Sequence, residues 1–254
     1  MVFARKRFGQ HFLHDRTVLQ RIVEAIDPQP GEALVEIGPG RGALTAPLLE
    51  RCRELTVIEI DRDLAAALRE RYPPPTLTVH EADALKFDFA ALAAARGRRL
   101  RVVGNLPYNI STPLLFHLLD TPAAILDLHV MLQREVIERI CAVPGSRDYG
   151  RLTVMLAPWV DSEHLFDVGP GAFQPPPKVW SAVARLRIRE QPRFTADARF
   201  ARVVSLAFSQ RRKTLRNTLK GVLDATQITA CGIDPSVRPE TLPPESYGKL
   251  AELL

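Results

Sequence analysis

The chain has 254 residues, 46% hydrophobic and 25% charged, an ordinary balance for a soluble globular protein with room for one sizeable core and a small second domain. No apolar run approaches the ~20 residues of a membrane span, and residues 1–10 carry basic side chains without the apolar core or cleavage site of a secretory signal. Cys52, Cys141 and Cys231 are too widely spaced for a disulfide framework or a metal site, so small thiols in a reducing cytoplasm are expected. The net charge of +5 is, alone, a weak pointer to a polyanionic partner.

Along the chain, strand-like and helix-like segments alternate. Asp15 can cap a helix that puts Val18, Leu19, Ile22, Val23 and Ile26 on one face. Ala33-Leu34-Val35-Glu36-Ile37 reads as a short buried strand closed by Gly38-Pro39-Gly40, with a helix over 42–51. Leu55-Thr56-Val57-Ile58-Glu59-Ile60 is a second strand, followed by a helix through Leu64 and Leu68 that Pro73-Pro74-Pro75 ends. Leu77-Thr78-Val79 is a third strand, then comes a helix over 89–95. Leu100-Arg101-Val102-Val103 is a fourth strand, running into Gly104-Asn105-Leu106-Pro107-Tyr108. This alternation predicts βαβ units, hence a doubly wound α/β sheet with helices on both faces. Ligands of such sheets sit at the carboxyl ends of the strands, where this sequence puts Gly38, Glu59, Asp83 and Asn105.

From about Arg189 the strand signals stop and amphipathic segments over 198–208 and 213–223, with a last one over 247–254, predict a small all-helical domain. The expected division is 1–188 and 189–254. Between Asp197 and Asp224 there is no acidic residue but seven basic ones: Arg199, Arg202, Arg211, Arg212, Lys213, Arg216 and Lys220. A solvated face normally mixes both signs, so Arg211, Arg212, Lys213, Arg216 and Lys220 are candidate nucleic-acid contacts.

The strand-to-helix loop around Gly38-Pro39-Gly40-Arg41-Gly42-Ala43 lets backbone pass close to a ligand, and Glu59 lies where an acid can accept hydrogen bonds from both ribose hydroxyls. The pattern fits NAD as well as S-adenosylmethionine. Asp83, placed to accept from an adenine amino group, helps to choose without deciding.

Asn105-Leu106-Pro107-Tyr108 is the most specific feature. Adenine N6 is a poor nucleophile because its lone pair is delocalised into the ring. The Asn105 amide oxygen and the Leu106 carbonyl can accept its two hydrogens, keeping the amine pyramidal and stabilising the charge that develops on it. Pro107 stiffens the loop, and Tyr108 offers a ring to stack on an extruded base. No strong general base is required, because a methylated ammonium loses its proton to water. Phe173, on the proline-rich stretch Phe173-Gln174-Pro175-Pro176-Pro177-Lys178-Val179-Trp180-Ser181, is a candidate for the other wall of the base pocket; docking to a proline-binding domain is the competing reading.

Arg5-Lys6-Arg7-Phe8-Gly9-Gln10-His11-Phe12-Leu13, Val35-Glu36-Ile37-Gly38-Pro39-Gly40, Glu59-Ile60-Asp61, Asn105-Leu106-Pro107-Tyr108-Asn109-Ile110-Ser111-Thr112-Pro113, the stretch from Phe173 to Ser181, and Gln210-Arg211-Arg212-Lys213-Thr214 together resemble the ribosomal RNA adenine dimethyltransferases, most closely the bacterial small-subunit branch. The resemblance spans nearly the whole chain in order. It implies a Rossmann-like class I methyltransferase domain with a small helical RNA-binding domain; a cytoplasmic monomer is the default expectation, on which the resemblance is silent. It implies dimethylation at N6 of two adjacent adenines near the 3′ end of 16S rRNA in the immature small subunit. It further implies S-adenosylmethionine contacts at His11, Leu13, Gly38, Glu59, Asp83 and Asn105. One position departs: the family usually has Asn where this chain has His11, so an imidazole replaces the amide there and its protonation would couple cofactor binding to pH. Three alternatives stay open: a large-subunit enzyme of the macrolide-resistance type, an assembly factor for which methylation is secondary, and an NAD dehydrogenase.

Overall fold

A computed structural model describes residues 11–254; residues 5–10, which carry part of the resemblance, lie outside the described residues. The elements, in order, are β1 (Phe12–Leu13), α1 (Arg16–Ile26), β2 (Ala33–Ile37), α2 (Thr45–Cys52), β3 (Leu55–Glu59), α3 (Arg62–Arg71), β4 (Leu77–Glu81), α4 (Phe89–Arg96), β5 (Leu100–Asn105), α5 (Ser111–Leu119), β6 (Ile125–Gln133), α6 (Arg134–Ile140), α7 (Arg151–Leu156), β7 (Val160–Val168), β8 (Phe173–Gln174), β9 (Ser181–Ile188), α8 (Ala198–Ala207), α9 (Leu215–Thr218), α10 (Ala225–Ala230) and α11 (Pro244–Ala251).

Seven strands form one sheet in the order β4-β3-β2-β5-β6-β9-β7. β4, β3, β2, β5 and β6 run parallel, and β9 joins antiparallel to β6. That antiparallel insertion separates the sheet from the wholly parallel dinucleotide-binding order. β2, β3 and most of β5 are buried throughout, as strands covered on both faces must be. The Asp15 side chain caps α1 by accepting from the Val18 amide at 3.0 Å, and the helix buries Ile22, Val23 and Ile26 in a core shared with Leu34, Leu48, Val57, Val103 and Met131. Where β2 and β5 run side by side the backbones leave no room for a side chain: a Cβ on Gly104 would stand 2.4 Å from the Ile37 carbonyl oxygen.

The chain divides into two compact units, one reaching Ile137 and resuming over Ser162–Ile188, the other made of Glu138–Asp161 and Arg189–Leu254. The expected boundary at 188/189 therefore misassigns residues 138–161. The reason is packing: Tyr149 and Val154 lie in a core with Phe200, Val204, Leu215, Leu219, Ile228 and Tyr247, and the Tyr149 hydroxyl donates to the Leu242 carbonyl at 2.7 Å. The helix expected over 213–223 is also shorter. Only Leu215–Thr218 is helical, and Gly221, with a φ of 90°, turns the chain out of it.

Candidate active site

The parallel strands β2, β3 and β5 and the loop after β4 bring Gly38, Glu59, Asp83 and Asn105 to one cavity of about 450 Å³, which His11, Leu13, Leu106, Pro107 and Tyr108 also line. Gly38 has a φ of 66°, and an added Cβ would stand 3.9 Å from the Asn105 carbonyl oxygen, so at this position backbone conformation more than space demands glycine. The Gly38 amide donates to the Ile58 carbonyl at 2.9 Å, holding the loop to β3.

Glu59, 4% exposed, organises this loop. Its Oε2 accepts from the Gly40 amide at 3.1 Å and its Oε1 from the Asp61 amide at 2.9 Å. Burial pushes its carboxyl above the ordinary range, against the pull of those amides. Asp83 Oδ1 accepts from the Leu85 amide at 3.0 Å, which fixes the side chain at the cavity wall.

The Asn105 side-chain nitrogen donates to the main-chain oxygen of His11 at 3.1 Å. The amide orientation is thereby set, and Oδ1 remains as the acceptor. Leu106 is anchored through its amide to the Met131 carbonyl at 3.2 Å and its side chain is wholly buried. The Pro107 carbonyl accepts from Ile110 at 3.1 Å, and the Tyr108 carbonyl from the Ser111 hydroxyl at 3.1 Å. The Tyr108 phenol meets the Ser181 hydroxyl at 2.7 Å, and burial raises its ionisation above the usual phenol value. The four-residue loop is thus held at each residue.

His11 Nδ1 donates to the Pro175 carbonyl at 2.8 Å; a carbonyl only accepts, so Nδ1 carries the proton. The ring lies over Tyr108 with centroids 5.9 Å apart and planes inclined at 25°. Leu13 pairs with Phe173 in the short β1–β8 ladder.

Phe173 does not form a wall of this cavity. Its ring is 1% exposed and packs in the core with Leu13, Val168 and Ala172; the aromatic facing Tyr108 is His11. The alternation of β8 explains the difference, since Phe173 turns inward and Gln174 lines the cavity.

Sequence reasoning missed Glu36. It is buried at mid-strand, 2% exposed, lines the cavity, and accepts from the Thr45 hydroxyl at 2.6 Å. Burial pushes its carboxyl up to about 8. An acid in an otherwise apolar five-residue strand was the available signal. The basic candidates Arg211, Arg212, Lys213, Arg216 and Lys220 are all exposed, while Leu215 and Leu219 beside them are buried; Arg211 donates to the Arg147 carbonyl at 2.8 Å.

A mixed sheet with this strand order, and a ribonucleoside-sized cavity at its carboxyl edge, defines a class I methyltransferase. Over residues 1–254 the chain matches the family model of ribosomal RNA adenine dimethylase, and it belongs to that family. It is 59% identical over 223 residues to ribosomal RNA small subunit methyltransferase A of Leptothrix cholodnii, covering 88% of this chain and 82% of that one. It is 56% identical over 246 residues to the protein of the same name from Aromatoleum aromaticum, covering 96% and 91%. Among solved structures, a dimethyladenosine transferase from Plasmodium falciparum aligns with a TM-score of 0.80 at 25% identity, covering 94% of this chain and 96% of that one. The 23S rRNA methyltransferase ErmE aligns with a TM-score of 0.73 at 30% identity, covering 96% and 99%. The protein is an rRNA adenine dimethyltransferase; a dehydrogenase is excluded.

Proposed function

We infer that the chain dimethylates N6 of two adjacent adenines near the 3′ end of 16S rRNA, in the immature small subunit, using S-adenosylmethionine and acting as a cytoplasmic monomer. Relatives above 50% identity carry small-subunit names, which favours this over the large-subunit reading suggested by the more distant ErmE.

The residues fit the cofactor. Glu59, held by two backbone amides, presents a carboxylate edge suited to ribose hydroxyls; Asp83 suits an adenine amino group; Gly38, Leu13 and His11 line the remainder. When bound, S-adenosylmethionine supplies an electrophilic methyl group on a sulfonium.

The observation that carries the reading is the orientation of Asn105. With its nitrogen engaged by His11, Oδ1 is left to accept one N6 hydrogen while the Leu106 carbonyl accepts the other. The two acceptors keep the nitrogen lone pair out of the ring and stabilise positive charge as it develops. Tyr108 stacks on the base, with its ring fixed by Ser181. The rate arises from positioning, and the product ammonium releases its proton to water.

The test is transfer of labelled methyl from S-adenosylmethionine to small-subunit particles lacking adenine dimethylation, with the modified nucleotides mapped. Label as N6,N6-dimethyladenosine at two neighbouring positions near the 16S 3′ end is expected. Asn105→Ala should lower the rate by ~10²–10³-fold while particle binding persists. Label in 23S rRNA alone overturns the substrate, and an active Asn105→Ala overturns the site.

A further inference from the structure

Beyond the cavity, one apolar feature stands at the same edge of the sheet. Lys178, Val179 and Trp180 are consecutive exposed residues, and the Trp180 side chain is 50% exposed, Val179 44%. Most large apolar side chains here are buried, so an indole left half in water one residue before Ser181, whose hydroxyl meets the Tyr108 phenol, is the informative case.

The ring is not loose. The Trp180 carbonyl accepts from the Arg134 amide at 2.9 Å, just past the last rung of the β6–β9 ladder, Gln133 with Ser181. The far edge of the indole lies 3.6–4.0 Å from where a Cβ on Gly169 would stand. The Arg134 guanidinium carbon lies 5.8 Å from the ring centroid and the same group meets Asp167 at 3.7 Å. The ring is thus braced by its backbone, by Gly169 and by a cation, with one half uncovered. The following residue, Ser181, is the one that holds the Tyr108 phenol at 2.7 Å.

We propose that Trp180 is a stacking platform for a base of the rRNA strand flanking the adenine presented to Tyr108, with Lys178 meeting an adjacent phosphate. This rests on the reading of the Asn105–Tyr108 loop as the transfer site. A target adenine drawn out of its stack leaves its neighbour with one unstacked face, and an aromatic ring beside the pocket replaces the lost stacking for any base. The positive side chains suit a phosphodiester strand. Trp180 is a positioning residue, contacting substrate away from the reacting nitrogen.

The test uses Trp180→Ala and Trp180→Phe in the full chain, with methyl transfer measured against particle concentration. Trp180→Ala should raise KM for particles by roughly 10-fold with kcat at saturation held, and Trp180→Phe should recover most of the loss. The protein has two tryptophans, so the emission of the wild type minus that of Trp180→Phe isolates Trp180; a short oligoadenylate should quench it, less so in high salt. An unchanged KM in Trp180→Ala overturns the proposal, as does a fall in kcat alone. Quenching by extracted ribosomal proteins but not by the oligoadenylate also overturns it, in favour of a protein contact. Should Trp180→Ala fail to fold, the Trp180→Phe comparison and the quenching decide. Failure of the underlying site reading is seen separately, as an active Asn105→Ala.

Discussion

The Asn105 side chain donates to the main-chain oxygen of His11 across 3.1 Å, so the end of β5 also holds down the segment that leads into the cavity wall. Asn105→Asp would set a carboxylate against that carbonyl. The lost bond and the repulsion should weaken docking of residues 11–14 by ~1–3 kcal/mol. Amide hydrogen exchange over that segment checks it: protection of His14, whose amide donates to the Ala172 carbonyl at 3.0 Å, should fall.

Tyr108 separates stacking from hydrogen bonding. Tyr108→Phe keeps the ring and loses the bond to Ser181, so kcat should fall only about 3-fold. Tyr108→Ala removes the platform and should lower kcat/KM for particles by roughly 10- to 100-fold. Equal losses in the two variants would assign the phenol, and not the ring, the main role.

Glu59→Gln replaces a carboxylate that accepts from two amides with a group having one acceptor and one donor. One of those amides then faces an NH₂ group, and the edge proposed to meet the ribose loses its charge. S-adenosylmethionine affinity should drop about 10- to 100-fold, by calorimetry, with the far-ultraviolet circular dichroism unchanged.

Glu36 makes stability pH-dependent. Its native carboxyl, pushed up to about 8, lies above its ordinary value of 4.5. The stability it contributes is therefore complete below 4.5 and is lost as pH rises through about 8. Glu36→Gln keeps an acceptor for Thr45 and has no proton to lose. The drop in Tm between mildly acidic and alkaline buffer should be smaller in Glu36→Gln than in the wild type; parallel Tm profiles would show that the carboxyl does not titrate there.

The basic segment predicts a salt effect. Arg212→Glu with Lys213→Glu should weaken RNA binding and reduce the slope of log K against log salt by about 2, with cofactor affinity unchanged. Unaltered RNA affinity at low salt would remove this segment from the interface.

Local patterns carried the parallel half of the sheet: Ala33–Ile37 and Leu55–Glu59 lie within a residue of their expected spans, and Asp15 caps the helix it was expected to cap. What depends on contacts distant in sequence was not legible. The pairing of Phe12 with Gln174 leaves no periodic trace in two-residue strands, and the direction of Phe173 follows from that pairing. The attachment of residues 138–161 to the helical unit turns on Tyr149 and Val154 meeting residues beyond 199, which no window along the chain contains. Glu36 was overlooked because a buried acid contradicts the apolar pattern that marked its strand.

The β1–β8 ladder has a consequence for how the protein is made. His11 and Pro175 are 164 positions apart, and chains elongate at ~5–20 residues per second. His11–Leu13 leaves the ribosome ahead of Gly38, Glu59 and Asn105, and for roughly ten seconds or more it has no partner strand to lie against. The proposed methyl-donor pocket of this rRNA-modifying enzyme closes only once the chain has been made through Pro175.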